Sequence, residues 1–129
     1  MIRPFRFAVI ALALATSLAS PVYADDATPV GIWQTSTGES HYLVSFCGGE
    51  KLCAKLTWLR SDARTPENLA YLNRYIVRGA VATSSNKWKG IISYDGQEIP
   101  GRMTLVNNDK MVLSGCQAIF CQTVEFERI

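Results

Sequence analysis

The sequence holds one histidine, His41, and four cysteines, none of them in a C-x-x-C pattern. A Ser-His-Asp triad would have to recruit His41, and no nucleophile elbow is present. The cysteine pairs are separated by five and four intervening residues, which fits neither a zinc site nor a redox pair. A phosphate-binding glycine loop and a calcium-loop spacing are also missing, so no cofactor and no metal are expected. Charge of one sign is in short supply. Thirteen Lys and Arg face eleven Asp and Glu, and the excess, Arg3 and Arg6, lies near the start. A neutral remainder has no electrostatic footprint for nucleic acid or anionic lipid. Nor is there a membrane-length apolar run, since the uncharged, mostly apolar stretch Phe7 to Leu18 has 12 residues.

That short run reads as the core of a secretory signal peptide over residues 1–24. Arg3 and Arg6 supply the positive start, and Val22-Tyr23-Ala24 offers small residues at the cleavage position. The expected mature protein begins at Asp25 and forms one domain, residues 25–129. It has no membrane span and belongs in the periplasm or outside the cell. A chain of this size buries only about two thirds of its unfolded surface. Export makes disulfides permissible, and all four cysteines lie in the mature part.

From Val30 onward, short alternating segments are separated by turn residues, the pattern of an antiparallel all-β domain. Strands are expected at 30–36, 39–47, 52–59, 75–82, 86–94, 97–106, 110–116 and 121–128. One helix-like stretch interrupts them: Thr65 can cap it, Pro66 suits its first position, and Glu67 to Asn73 continues it.

The cysteines set hairpin registers. Placing Cys47 opposite Cys53 sets Phe46 against Ala54, Val44 against Leu56 and Tyr42 against Trp58 on one apolar face. Placing Cys116 opposite Cys121 sets Leu113 against Val124 and Met111 against Phe126 inside, and Lys110 against Glu127 outside. Directly opposed cysteines have spacings that a disulfide accepts, so Cys47–Cys53 and Cys116–Cys121 are the expected bridges. Short loops limit each to about 2–3 kcal/mol. Between them, Tyr94-Asp95-Gly96-Gln97 is a two-residue hairpin signal that opposes Ile92 to Ile99, Gly90 to Gly101 and Trp88 to Met103. Facing glycines suggest a sharp bend of the sheet. Consecutive hairpins with one greasy face favour closure into an eight-stranded up-and-down barrel.

The expected interior is Trp33, Tyr42, Val44, Phe46, Leu56, Trp58, Trp88, Ile92, Met103, Leu105, Met111, Leu113, Val124 and Phe126. Of these, Tyr42, Phe46, Trp58, Trp88, Met103 and Met111 are the candidates to line a ligand pocket. His41 falls on the outer face. Asp62, Glu67, Asp95 and Glu98 are acids that a hydrolase would need to pair, but turn, helix-start and outward positions account for them. The one local charge bias is Arg60, Arg64, Arg74 and Arg78, around a segment expected to flank the barrel mouth. Arg74 and Arg78 are the candidates for a cationic rim that attracts an acidic head group.

Gly31-Ile32-Trp33 opens the first strand, and Phe126-Glu127-Arg128 closes the last. In this the chain resembles the lipocalin-like (calycin) barrels, which carry G-x-W at the first strand and a late arginine packed across that tryptophan. The resemblance implies that Arg128 stacks on Trp33 and closes the barrel, a cation–π contact of about 1–2 kcal/mol. More closely, the mature chain resembles a family of small exported bacterial proteins that is itself a domain of unknown function. The resemblance runs through Leu52-Cys53-Ala54-Lys55, Trp58-Leu59, Trp88-Lys89-Gly90, Tyr94-Asp95 and Leu113-Ser114-Gly115-Cys116. It implies a lipocalin-like fold and an exported location, and no established chemistry.

The function expected from these features is that of a non-enzymatic exported barrel binding a small apolar or amphipathic molecule. The alternative is a filled barrel acting as an envelope or extracellular protein-interaction module, for example an inhibitor or a contact to a host or cell-wall component.

Overall fold

A computed structural model describes residue 13, residues 15–17 and residues 27–129. Apart from those few positions, the expected leader 1–24 and its cleavage site lie outside the described residues. Eight strands follow one another: β1 (Gly31–Thr35), β2 (Ser40–Phe46), β3 (Leu52–Leu59), β4 (Tyr75–Ser84), β5 (Lys87–Tyr94), β6 (Gln97–Asn107), β7 (Lys110–Gln117) and β8 (Phe120–Arg128). Each pairs antiparallel with the next, and β8 returns to β1, closing the barrel. Closure pairs the first strand with the end of the last without a second sheet.

Between β3 and β4 the chain makes a 3-10 turn, Ser61–Ala63, and a short helix α1, Pro66–Leu69. Thr65 caps α1 as expected, its Oγ1 accepting from the Asn68 N–H at 3.3 Å, and Pro66 takes the first helical position. The helix stops earlier than its sequence suggests because the chain must rejoin the barrel. Asn73, at φ 62°, donates its N–H to the Leu56 carbonyl at 2.7 Å, and Leu56 donates to the Arg74 carbonyl at 3.0 Å.

The hairpin between β7 and β8 has the expected register throughout, from Lys110 opposite Glu127 to Cys116 opposite Cys121. So does the β5–β6 hairpin, whose turn residues Asp95 and Gly96 both have positive φ, at 50° and 72°. That turn geometry matches the twist of the strands. Gly90, Gly101 and Gly115 lie side by side across β5, β6 and β7. A Cβ on Gly101 would fall 2.0 Å from Ile92 Cδ1, so the glycine row is where Ile92 lies flat against the bent sheet.

The β2–β3 hairpin differs from expectation. Cys47 and Cys53 are bonded, but Ser45, not Cys47, stands opposite Cys53, and Val44 stands opposite Ala54. The register is shifted by two residues, and the cystine crosses the ladder diagonally with a Cα separation of 5.8 Å. A shift of two preserves the faces, so Val44, Ala54 and Leu56 are buried as the alternation requires. Further along, the alternation fails. Tyr42 pairs with Leu56 but His41 pairs with Trp58, leaving Thr57 as an extra residue in β3. This bulge flips the end of the strand, burying Leu59 and turning Trp58 outward, 40% exposed.

Trp33 and Leu52 are fully buried, and Val44, Val77, Met111 and Leu105 nearly so. Ile76, Val77 and Ala80 of β4 belong to the core although the expected interior omitted them. Irregular β3–β4 pairing and the positive φ of Gly79 break the period of two there and bury two consecutive residues. Phe46, expected inside, is the last residue of β2 and is 49% exposed. Val124, also expected inside, is 38% exposed because β8 runs past the end of β1.

Candidate functional site

The barrel has two unlike halves. Its inner half is packed: Trp33, Val44, Ala54, Met103 and Met111 surround a void of only about 10 Å³. Its outer half opens into a cavity of about 670 Å³. Leu56, Leu59, Ile76, Ile92 and Leu113 form the apolar wall and Phe126 the floor. The segment between β3 and β4 leans over one side, contributing Ala63, Glu67, Asn68 and Tyr71. The Tyr71 hydroxyl accepts the Gly96 N–H at 2.5 Å, tying this segment to the β5–β6 turn.

A polar strip descends the wall opposite. The Thr35 and Ser40 hydroxyls, both in buried residues, approach to 3.4 Å, and Ser40 Oγ donates to the Tyr42 hydroxyl at 3.4 Å. Tyr42 in turn meets Phe126 edge-on, with centroids 5.4 Å apart. The strip arises because Thr35 and Ser40 flank the turn joining β1 to β2. The sequence singles out neither, placing them only inside the expected strands 30–36 and 39–47.

The charges at the opening are the reverse of those expected. Glu39, Glu67, Asp95 and Glu125 line it, and among the described residues no lysine or arginine does. Arg74 and Arg78 are exposed but neither borders the cavity. Arg78 follows the buried Val77 in β4 and is turned out of the barrel. The expected cationic rim is therefore replaced by a carboxylate rim, although Ala63, Glu67, Asn68, Tyr71 and Ile76 of the 60–78 segment do flank the mouth as anticipated. Nearby cations partly offset it: Lys110 pairs with Glu125 at 3.3 Å, and Arg60 reaches Glu39 at 4.0 Å. Arg60 is mainly engaged by Asp62, at 2.6 and 2.8 Å, and also donates to the Thr37 carbonyl. The Arg60 guanidinium holds the Asp62 carboxyl below the ordinary carboxylate range, chiefly through these hydrogen bonds.

Of the six pocket candidates, only Tyr42 lines the open cavity. Met103 and Met111 border the small inner void, and Trp88 is buried in the core beside neither space. Phe46 and Trp58 face outward, for the reasons given above. Trp58 instead stacks on His41, centroids 4.2 Å apart, while His41 Nε2 and Gln34 Oε1 are 2.8 Å apart. The outer position expected of His41 is the observed one. Of the four acids considered as pairs, Glu67 and Asp95 reach the same opening, whereas Asp62 is held by Arg60. Among the described residues no three His, Cys, Asp or Glu side chains converge as a metal site.

At the closed end Arg128 lies over Trp33, 4.3 Å from ring centroid to guanidinium carbon. A closed, eight-stranded antiparallel barrel with this pair at its first and last strands is a lipocalin-like barrel. The chain belongs to the family described as uncharacterized protein conserved in bacteria (DUF2147), which matches residues 31–128. No curated protein and no solved structure matches it. Two disulfides account for all four cysteines and indicate a compartment other than the cytoplasm. Among the described residues no helix is long and apolar enough to cross a membrane.

Proposed function

We propose that this protein is an exported, non-enzymatic barrel that binds a small amphipathic molecule in the periplasm or outside the cell. The observation that carries this reading is the open cavity of about 670 Å³, within the range of small-molecule sites. Its apolar wall suits a hydrocarbon or ring system, and the Thr35, Ser40 and Tyr42 hydroxyls suit a polar group beside it. The carboxylate rim favours a neutral or cationic head group and disfavours the fatty-acid type of head that an arginine rim would have attracted. Residues 1–24 act as the leader that delivers the chain to its compartment.

The test is a titration with N-phenyl-1-naphthylamine, a neutral apolar fluorophore, beside an anionic fluorescent fatty-acid analogue. Saturable binding of the neutral probe, weaker binding of the anionic one, and loss of both in Ser93→Trp are expected, because Ser93 lines the cavity and is only half-buried. No saturable binding, or binding that ignores Ser93→Trp, would overturn the reading. Native mass spectrometry of protein taken from its own host, compared with denatured mass, identifies a resident molecule directly.

A further inference from the structure

The barrel seam is incomplete. β8 has nine residues, but β1 pairs only with the last three, Phe126 to Arg128. One more backbone bond, from the Ser36 N–H to the Glu125 carbonyl at 2.9 Å, closes the seam before the chain turns away toward β2. Beyond it, no described strand pairs with the outer side of Phe120 to Val124.

The ladder reveals which groups face this gap. Cys116 and Cys121 are directly opposed with a Cα separation of 4.0 Å, the close spacing of a non-hydrogen-bonded antiparallel pair. Residues in such pairs point both N–H and C=O away from their partner strand. Cys121 therefore presents its backbone groups to the gap, and by the period of two so do Thr123 and Glu125. The Glu125 bond to Ser36 is the independent confirmation of that phase. An edge of this kind is a template for an added strand.

We propose that this edge docks an extended segment of a partner protein in which basic and apolar residues alternate. Thr123, Val124 and Glu125 line the cavity as well as the edge, so an added strand lies along the mouth. Val124 and Phe120 share the inward side of β8 with Phe126 and offer apolar contact to every second residue. Glu39 and Glu125, on the turn and the strand that border the gap, select the charge of the others. The inference goes beyond small-molecule binding and does not rest on it.

The probe is a short fluorescein-labelled peptide of alternating lysine and valine, followed by anisotropy. The expected result is saturable binding, no binding of the glutamate–valine counterpart, and a loss of about fivefold or more in Thr123→Pro, which removes an outward N–H and leaves the β7 ladder intact. Thr123→Val keeps that N–H and binds as the wild type does. If Thr123→Pro does not fold, the lysine–valine peptide methylated at alternate backbone nitrogens carries the same test and should not bind. Absence of binding, equal binding to Thr123→Pro, or equal binding of the methylated peptide overturns the proposal. A concentration-dependent dimer abolished by Thr123→Pro also overturns it, by assigning the edge to a second copy of this chain.

Discussion

Arg128 covers the buried indole of Trp33 at 4.3 Å and at the same time ties three chain segments together. Its Nε donates to the Asn108 carbonyl at 2.6 Å, Nη1 to the Val30 carbonyl at 2.8 Å, and Nη2 to the Thr28 carbonyl. Trp33 Nε1 donates to the Pro29 carbonyl at 2.8 Å, so the same strap is held from both sides. Arg128→Ala should lower stability by roughly 2–3 kcal/mol, combining the cation–π contact with the lost hydrogen bonds. Arg128→Lys should restore less than half of that, since an ammonium lacks the planar fork. Urea unfolding with the disulfides intact measures both; a lysine variant as stable as the wild type would reduce the residue's role to its charge.

Gly31→Ala tests the same corner from the other side. Its Cβ would fall 2.4 Å from Arg128 Nη1, and φ at Gly31 is 145°. The variant should be destabilised, and less so in an Arg128→Ala background, where the clash has gone and the backbone strain of a side chain at this φ remains. A double-mutant cycle gives the coupling, and additive effects would rule the contact out.

Gly101→Ala should cost about 1–3 kcal/mol, because the added Cβ meets both Cγ1 and Cδ1 of the buried Ile92. Ile92→Val removes Cδ1 and should recover part of the loss when the two are combined. Thermal unfolding of the three variants decides this, and a single variant with wild-type stability would mean the sheet yields freely at its bend.

The two disulfides should differ in weight. Loop length alone gives each about 2–3 kcal/mol. Cys53 is buried, and its Sγ accepts the Gly79 N–H at 3.2 Å, whereas Cys116 and Cys121 are exposed. The Cys47→Ser, Cys53→Ser pair should therefore lower the urea midpoint more than Cys116→Ser, Cys121→Ser. Equal shifts would assign both bridges to chain entropy only.

Acid should weaken the strap between the β1–β2 turn and the 60–74 segment. Asp62 is held below its unfolded-state range by Arg60, and Arg60 is raised by Asp62. A carboxylate lowered in the folded state stabilises above its unfolded pKa and loses that contribution as pH falls through the folded value. Arg60 stays charged throughout. The pair is fully solvated, so the effect is small and shrinks with salt. Asp62→Asn should flatten the acid limb of the stability profile slightly at low ionic strength, and an identical limb in the variant would show the pair to be inert.

The β7–β8 hairpin was legible residue by residue because its cystine sits at a directly opposed pair, so sulfur position and strand register coincide. At β2–β3 the same reasoning returned the right bridge with the wrong register, since a disulfide also spans a diagonal. A shift by two leaves every face unchanged, which is why the core positions survived the error. Trp58 did not, because Thr57 adds one residue where the alternation gives no warning. The cavity rim was illegible for a different reason. Glu39, Glu67, Asp95 and Glu125 come from the β1–β2 turn, α1, the β5–β6 turn and β8, far apart in the chain. Arg74 and Arg78, the arginines expected there, lie at a segment end and on a strand face that do not border the cavity.

The packed inner half makes the barrel a blind cup, not a tunnel. Anything that goes in must come out by the same door, past Tyr71 and the rim acids. Under the binding function proposed above, loading and unloading share this one opening and cannot be tuned separately. Under the same proposal a guest is exchanged only after the first has left, and a strand laid across the unfinished seam would act as a stopper on both journeys.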